Sequence, residues 1–220
     1  MIERKETLKY AFTVEGETEK WYFDWLESCI NSIEESECKV SILSKVQQSP
    51  IKFAKNVNPI STPSATHICD IEGNDAYHVT KFKDILSQLN QANNLKGRSF
   101  KYELGYSNFT FELWMILHKS DCNSVFSNRT QYLTPINRAF NEKFEDLDKY
   151  KREANFKRCL AKLSIDDVKN AIRRANKIME NNAQIGLKLN EFKGFTYYSD
   201  NPSLTINKAV EKILKNCNLI

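Results

Sequence analysis

Two acidic knots stand where strand-like runs give way to turns. Val14-Glu15-Gly16-Glu17-Thr18-Glu19 closes one apolar run and Asp70-Ile71-Glu72-Gly73 closes another. Acids at such ends lie on the side of an α/β sheet where ligands bind. Asp70 and Glu72 are two residues apart, so in an extended chain they face the same way, roughly 6.6 Å apart. Joined by Glu15 from a neighbouring strand, they would repel one another without a cation, and Mg²⁺ or Mn²⁺ prefers oxygen ligands of this kind. Such a cation can orient a phosphate, stabilise charge developing on its oxygens and activate water. Each acid also has a plainer role. Glu15 could serve the positive end of a helix dipole, and Asp70 and Glu72 could be solvated loop acids. Asp75 is near enough in sequence to be an auxiliary ligand.

A third stretch, Ser107-Asn108-Phe109-Thr110-Phe111-Glu112-Leu113-Trp114-Met115-Ile116-Leu117-His118, opens on residues that cap helices well. Glu112 falls one turn after Asn108 on the same helical face. An acid within so apolar a segment needs a partner or a metal, because an unpaired buried charge is costly. It could equally be a first-turn acid. Phe111 and Trp114 read as core.

The elements that must position these groups follow from periodicity. Leu8, Tyr10, Phe12 and Val14 alternate with polar or small residues, a strand pattern, and Tyr22, Leu26, Ile30 and Ile33 then recur at helical spacing. Glu17 and Glu19 read as acids of that helix's first turn. Lys39 to Leu43 reads as a short strand, 47–64 as an irregular polar connection with three prolines, and Ala65 to Ile71 as a strand. Val79, Phe82, Leu86 and Leu89 mark an amphipathic helix. Phe100, Tyr102 and Leu104 mark a further strand, ending near Gly105 and followed by a helix over Phe109 to His118. Strand and helix in alternation imply an α/β fold with a mostly parallel sheet flanked by helices. Parallel strands with right-handed crossovers point their ends the same way, so the loops after Glu15, Asp70 and Gly105 can share one crevice. Beyond about residue 120 the pattern turns helical. Ser164 and Asp167 resemble a helix N-terminal box, and Asn201-Pro202-Ser203 precedes a last helix. The expected division is a core over 1–120 and a helical extension over 121–220 packed on it, or one single domain.

The chain has 220 residues, 41% hydrophobic and 27% charged, as in an ordinary globular protein. Its net charge of +4 permits nucleic-acid contact without demanding it, since Lys and Arg are dispersed. No stretch is long and apolar enough for a membrane helix, and 1–6 has no apolar signal core, so a cytoplasmic location is expected. The six cysteines (Cys29, Cys38, Cys69, Cys122, Cys159, Cys217) form no C-x-x-C pair, and His67, His78 and His118 are scattered, which argues against a zinc site. Buried, reduced thiols are expected.

Glu15-Gly16-x-Thr18-Glu19-x-x-Tyr22-Phe23, Asp70-x-Glu72, Ser107-Asn108-x-x-Phe111-Glu112-Leu113-Trp114-x-x-Leu117-His118 and the late Asn201-Pro202-Ser203 together resemble the RloB-like proteins. These are prokaryotic proteins with a Toprim catalytic domain, associated with restriction and abortive-infection loci. The resemblance implies a Toprim-like fold, with Glu15 as acid/base or metal-bridging residue and Asp70 and Glu72 as metal ligands. It also brings Glu19, Asn108, Glu112 and His118 near the site as auxiliary residues. The activity it implies is Mg²⁺- or Mn²⁺-dependent cleavage of DNA or RNA in antiviral defence. The implied partners are the nucleic acid and an ATPase that holds or triggers the protein, and a homo-oligomer is compatible with it. Two departures stand out. The second acidic motif ends in Glu72 where the family has Asp, and Phe109 follows Asn108 where the family commonly has proline. The first departure keeps a second reading open, a Toprim scaffold that regulates or docks without turnover.

Overall fold

The computed structural model describes residues 5–47 and 49–220. Four parallel strands form the centre of the molecule: β1 (Glu6–Val14), β2 (Cys38–Val46), β3 (Ser64–Asp70) and β4 (Lys101–Asn108). A two-residue strand near the C-terminal end of the chain, β7 (Ser203–Leu204), adds to β4 antiparallel, giving the order β2-β1-β3-β4-β7. The chain is thus α/β with a mostly parallel sheet. From β1 it steps outward to β2, then returns past β1 to β3. The two sides of β1 are therefore built in opposite directions, and a crevice opens where β1 and β3 end, the place where such sheets bind ligands.

Helix α1 (Glu17–Asn31) crosses between β1 and β2 on one face. Gly16 precedes it in extended conformation, and its apolar spacing buries Tyr22, Phe23, Leu26 and Ile30. The Phe23 ring stacks on Phe12 of β1 at 4.0 Å. Helices α2 (Pro50–Asn56) and α3 (Ala76–Asn93) cover the other face, where Ala11, Phe53, Phe82, Leu86 and Tyr106 pack together. The side-chain alternation of β1, Phe12 and Val14 one way and Ala11 the other, feeds both layers.

Later elements pile onto the α1 face: α4 (Glu112–Leu117), α5 (Leu133–Phe140), α6 (Leu147–Tyr150), α7 (Glu153–Leu160), α8 (Ile165–Gln184) and α9 (Ile206–Asn216). Their apolar stripes share one cluster with the first strand, from Phe12 through Trp114, Tyr132 and Phe156 to Val210. Ser164 and Asp167 cap α8 reciprocally, each side chain accepting from the other's backbone N–H, as the box predicts.

Four expectations change. The connection at 47–64 contains α2, whose Pro50 sits in the first turn where proline costs nothing; Gln48 in that stretch lies outside the described residues. Strand β4 runs on through Gly105 to Asn108, and α4 begins only at Glu112, because pairing with β3 and β7 holds Ser107 and Asn108 extended. The second half is helical but also carries β7 and a hairpin of β5 (Leu189–Phe192) and β6 (Phe195–Tyr198), turned by Lys193 and Gly194 at positive φ. The thiols are not all free: Cys38 at the start of β2 and Cys217 after α9 are joined in a disulfide, with Cα atoms 5.2 Å apart. Tertiary folding alone brings these two together across 179 residues of chain. No helix among the described residues is long and apolar enough to cross a membrane.

Candidate active site

Glu15 follows directly from β1, and Asp70 ends β3. The register pairs Val14 with Ile68, which brings the two acids side by side across the crevice. Glu15 Oε2 accepts a hydrogen bond from the Asp70 backbone N–H at 3.2 Å. Both line a cleft of about 710 Å³ with Glu19, Glu72, Lys81 and Lys151.

Burial dominates the electrostatics here. It raises the Glu15 carboxyl from the usual 4.5 to about 7, with the charges of Glu72 and Glu19 adding to the rise and the Asp70 N–H and Lys81 opposing it. Asp70 is raised well above the ordinary aspartate range by burial, then by Glu19, Glu15 and Glu112. Glu19 is raised by the same two causes, burial first and Glu112 second. The charges that act on Asp70 therefore identify its neighbours: Glu19, Glu15, Glu112 and the cation of Lys151. Glu112 is only 1% exposed, and Lys151 Nζ lies 3.1 Å from its Oε1. Lys151 follows α6 and enters from the second half of the chain. Burial works against its charge, yet Glu112, Asp70 and Glu19 together hold it above the usual lysine range. Asp70 Oδ1 and Glu112 Oε2 are buried without a hydrogen-bond partner among the described residues, as is the Tyr150 hydroxyl.

Glu72 stands differently. The extended geometry expected for Asp70-x-Glu72 breaks after β3, because Glu72 adopts φ +63. Its backbone N–H still reaches β4's continuation at Phe109 O, 2.9 Å. Its carboxylate meets Lys81 Nζ at 2.9 Å and Arg129 at 4.0 Å at the rim, with the His78 ring Nε2 at 3.8 Å. Asp75 is taken up locally. Its side chain caps α3 by accepting from Tyr77 N and His78 N, and its other oxygen meets the His78 ring. His118 packs in the core: its Nδ1–H donates to Trp114 O at 2.9 Å, and its Nε2 accepts from the Tyr22 hydroxyl at 3.1 Å. Burial brings its pKa down to about 4. Asn108 is fully buried and donates from Nδ2 to Ser199 O at 2.8 Å, tying β4 to the loop after β6.

Glu19, read from sequence chiefly as a first-turn acid, is 7% exposed and faces the cluster. Its place in the first turn of α1, directly after Glu15 and Gly16, is the signal that keeps it at the mouth of the same crevice. Lys151 had none: a lysine after a tyrosine at a helix end reads as a solvated charge.

Hard carboxylate oxygens, two of them lacking partners, are the donor chemistry of a divalent cation. No group of three His, Cys, Asp or Glu side chains converges as a ready coordination set among the described residues. Loading Glu15, Glu19, Asp70 and Glu112 with a cation thus asks side chains to turn.

The RloB-like protein family model matches residues 10–213. The chain belongs to the RloB-like family. That match takes in the C-terminal half of β1, the acid cluster and most of α9, so every residue of the site lies within the family's span. No curated protein and no solved structure matches the chain.

Proposed function

We propose that this RloB-like protein is a metal-dependent nuclease of the Toprim type, hydrolysing phosphodiesters of DNA or RNA in antiphage defence with or under the control of a partner ATPase. The observation that carries the reading is the cluster of Glu15, Glu19, Asp70 and Glu112 at the crevice between β1 and β3, with Glu19 and Glu112 buried and Glu15 and Asp70 partly buried. Four acids opposed by only Lys151 and Lys81 are unfavourable as architecture, and sites that keep such strain are commonly functional. Partner, trigger and defence role rest on the family resemblance alone.

Mg²⁺ or Mn²⁺ bound by these acids would neutralise charge on phosphate oxygens and ease ionisation of water. Glu15, poised near 7, can take up or give a proton at its Oε atoms at neutral pH. Asp70 and Glu112 offer the unpartnered oxygens to the cation. Lys81 and Lys151, on the cleft wall, would draw a phosphate inward.

A second reading is a Toprim scaffold without turnover, acting as a regulatory subunit. The orientation of Glu72 toward Lys81 and Arg129 favours it. The purified chain, with and without its ATPase, incubated with DNA and RNA in Mg²⁺ or Mn²⁺ separates the two. Cleavage lost in Glu15→Ala and Asp70→Ala supports the nuclease. Equal cleavage in those variants removes the mechanism, and no cleavage under any condition with intact partner binding favours the scaffold.

A further inference from the structure

A second and larger hollow, about 1210 Å³, adjoins the acid cleft, and Glu72 lines both. Lys177 lines it together with a smaller hollow walled by Arg173 and Arg174 of α8 and by Asp121, which pairs with Arg174 at 3.4 Å. The three depressions thus form one track, from the basic face of α8, past Arg129, to the acids at the ends of β1 and β3. A single small-molecule site runs to about 1,000 Å³ at most, so the larger hollow alone exceeds that range and its size suits a polymer better than a metabolite.

The lining offers cations, amides and apolar faces, beside the carboxylates of Glu72, Asp75 and Asp200. Arg129 is 59% exposed and touches Glu72 only at 4.0 Å. Lys177 is exposed, with no ion pair among the described residues. Asn123 and Asn181 line the same hollow, exposed amides whose side chains make no hydrogen bond among the described residues. Beside these, Val125 and Ile185 hold 77% and 63% of their surface in solvent. Cations spaced along a channel, free amides and bare apolar faces match phosphates, base edges and base faces in turn. A duplex hides its base faces in the stack and its pairing edges in hydrogen bonds, so an unpaired strand is what offers open faces together with phosphates and free edges.

Resting on the nuclease reading, we propose that this track binds single-stranded nucleic acid, with Arg173, Lys177 and Arg129 on phosphates and Asn123 and Asn181 on base edges. The strand thereby threads from α8 over Glu72 into the acid cleft. Binding, unlike cleavage, needs no turnover and is measured apart from it.

The test is fluorescence anisotropy in EDTA, using labelled single-stranded DNA and RNA of about 12 nucleotides and the same DNA as a duplex, with Glu15→Gln as background. Single strands should bind at least about tenfold tighter than duplex. Lys177→Glu or Arg129→Glu should weaken them about tenfold and lower the salt dependence by roughly one counterion each. Asn181→Ala should weaken single strands and leave duplex unchanged. These positions are exposed, so folding is preserved, and circular dichroism checks it. Wild-type binding in both charge reversals, or duplex bound as tightly as single strand, overturns the track. Should the oligonucleotides bind as described while metal elicits no cleavage, the nuclease reading falls and this inference stands. Should cleavage persist undiminished in the track variants, the reverse holds.

Discussion

Replacing Glu15 with glutamine should stabilise this protein, and do so increasingly as pH rises from 4.5 to 7. In the fold the carboxyl titrates at about 7 against 4.5 for a free glutamate, because burial and neighbouring acids disfavour its charge. Between those values the folded chain holds a proton that the unfolded chain has released. Wild-type stability therefore falls as pH rises from 4.5 to 7 and stays at its reduced level above. The difference corresponds to about 2–3 kcal/mol at pH 8, allowing for the part of Glu15 that water reaches, and to less than about 1 kcal/mol at pH 5. Glutamine keeps the acceptor oxygen for the Asp70 N–H and carries no charge. Thermal unfolding in EDTA, wild type against Glu15→Gln, should give a midpoint higher by roughly 5–10 °C at pH 8 and nearly equal midpoints at pH 5. A variant no more stable than wild type at pH 8, or stabilised equally at both values, would refute the assignment of Glu15 as a strained acid. Divalent cation should reverse the order, stabilising wild type more than the variant.

Lys151→Met should lower stability in EDTA by about 1–3 kcal/mol, toward the low end because 38% of the lysine side chain meets solvent. Mn²⁺ should then raise the variant's melting point by more than it raises that of wild type; an equal rise means the lysine is no counter-ion. Asp70→Asn should abolish saturable Mn²⁺ binding in calorimetry, and an unchanged isotherm would exclude Asp70 as a ligand. Gly105→Ala should cost about 1–3 kcal/mol in urea unfolding, since its Cβ would lie 2.6 Å from Ile68 Cδ1 in the sheet core; an unshifted midpoint counts against that packing. His67 and His118 are neutral in the fold, lowered by burial from 6.5 to about 3 and about 4. Their stabilisation is full above 6.5 and is lost as pH falls toward those values, so His118→Gln should flatten the acid limb of the stability profile.

How far the site was legible depends on how local its causes are. Period-two and helical spacing depend on neighbours in the chain, so β1, α1, β3 and α3 could be read with their ends a few residues out. The turn after Val14 and the acid ending β3 followed from the same patterns. Parallel pairing then implied that Glu15 and Asp70 share a crevice. Glu72 defeated the reading because its side-chain direction hangs on one backbone angle, φ +63, that no spacing rule reports. Helix α2 was hidden in a stretch of three prolines, one of them its own Pro50, and β5, β6 and β7 by their length of four residues or fewer.

By itself the sequence determined the α/β alternation, the acids at the strand ends and the family, since each is written in local order or in motifs. Tertiary structure alone decided which charges meet. It turned Glu19 and Glu112 inward beside Asp70, sent Glu72 to the rim and drew Lys151 from 81 positions beyond Asp70 to the cluster. Electrostatic energy depends on distance and burial in three dimensions, and residues so far apart in the chain acquire both only when the core closes around them.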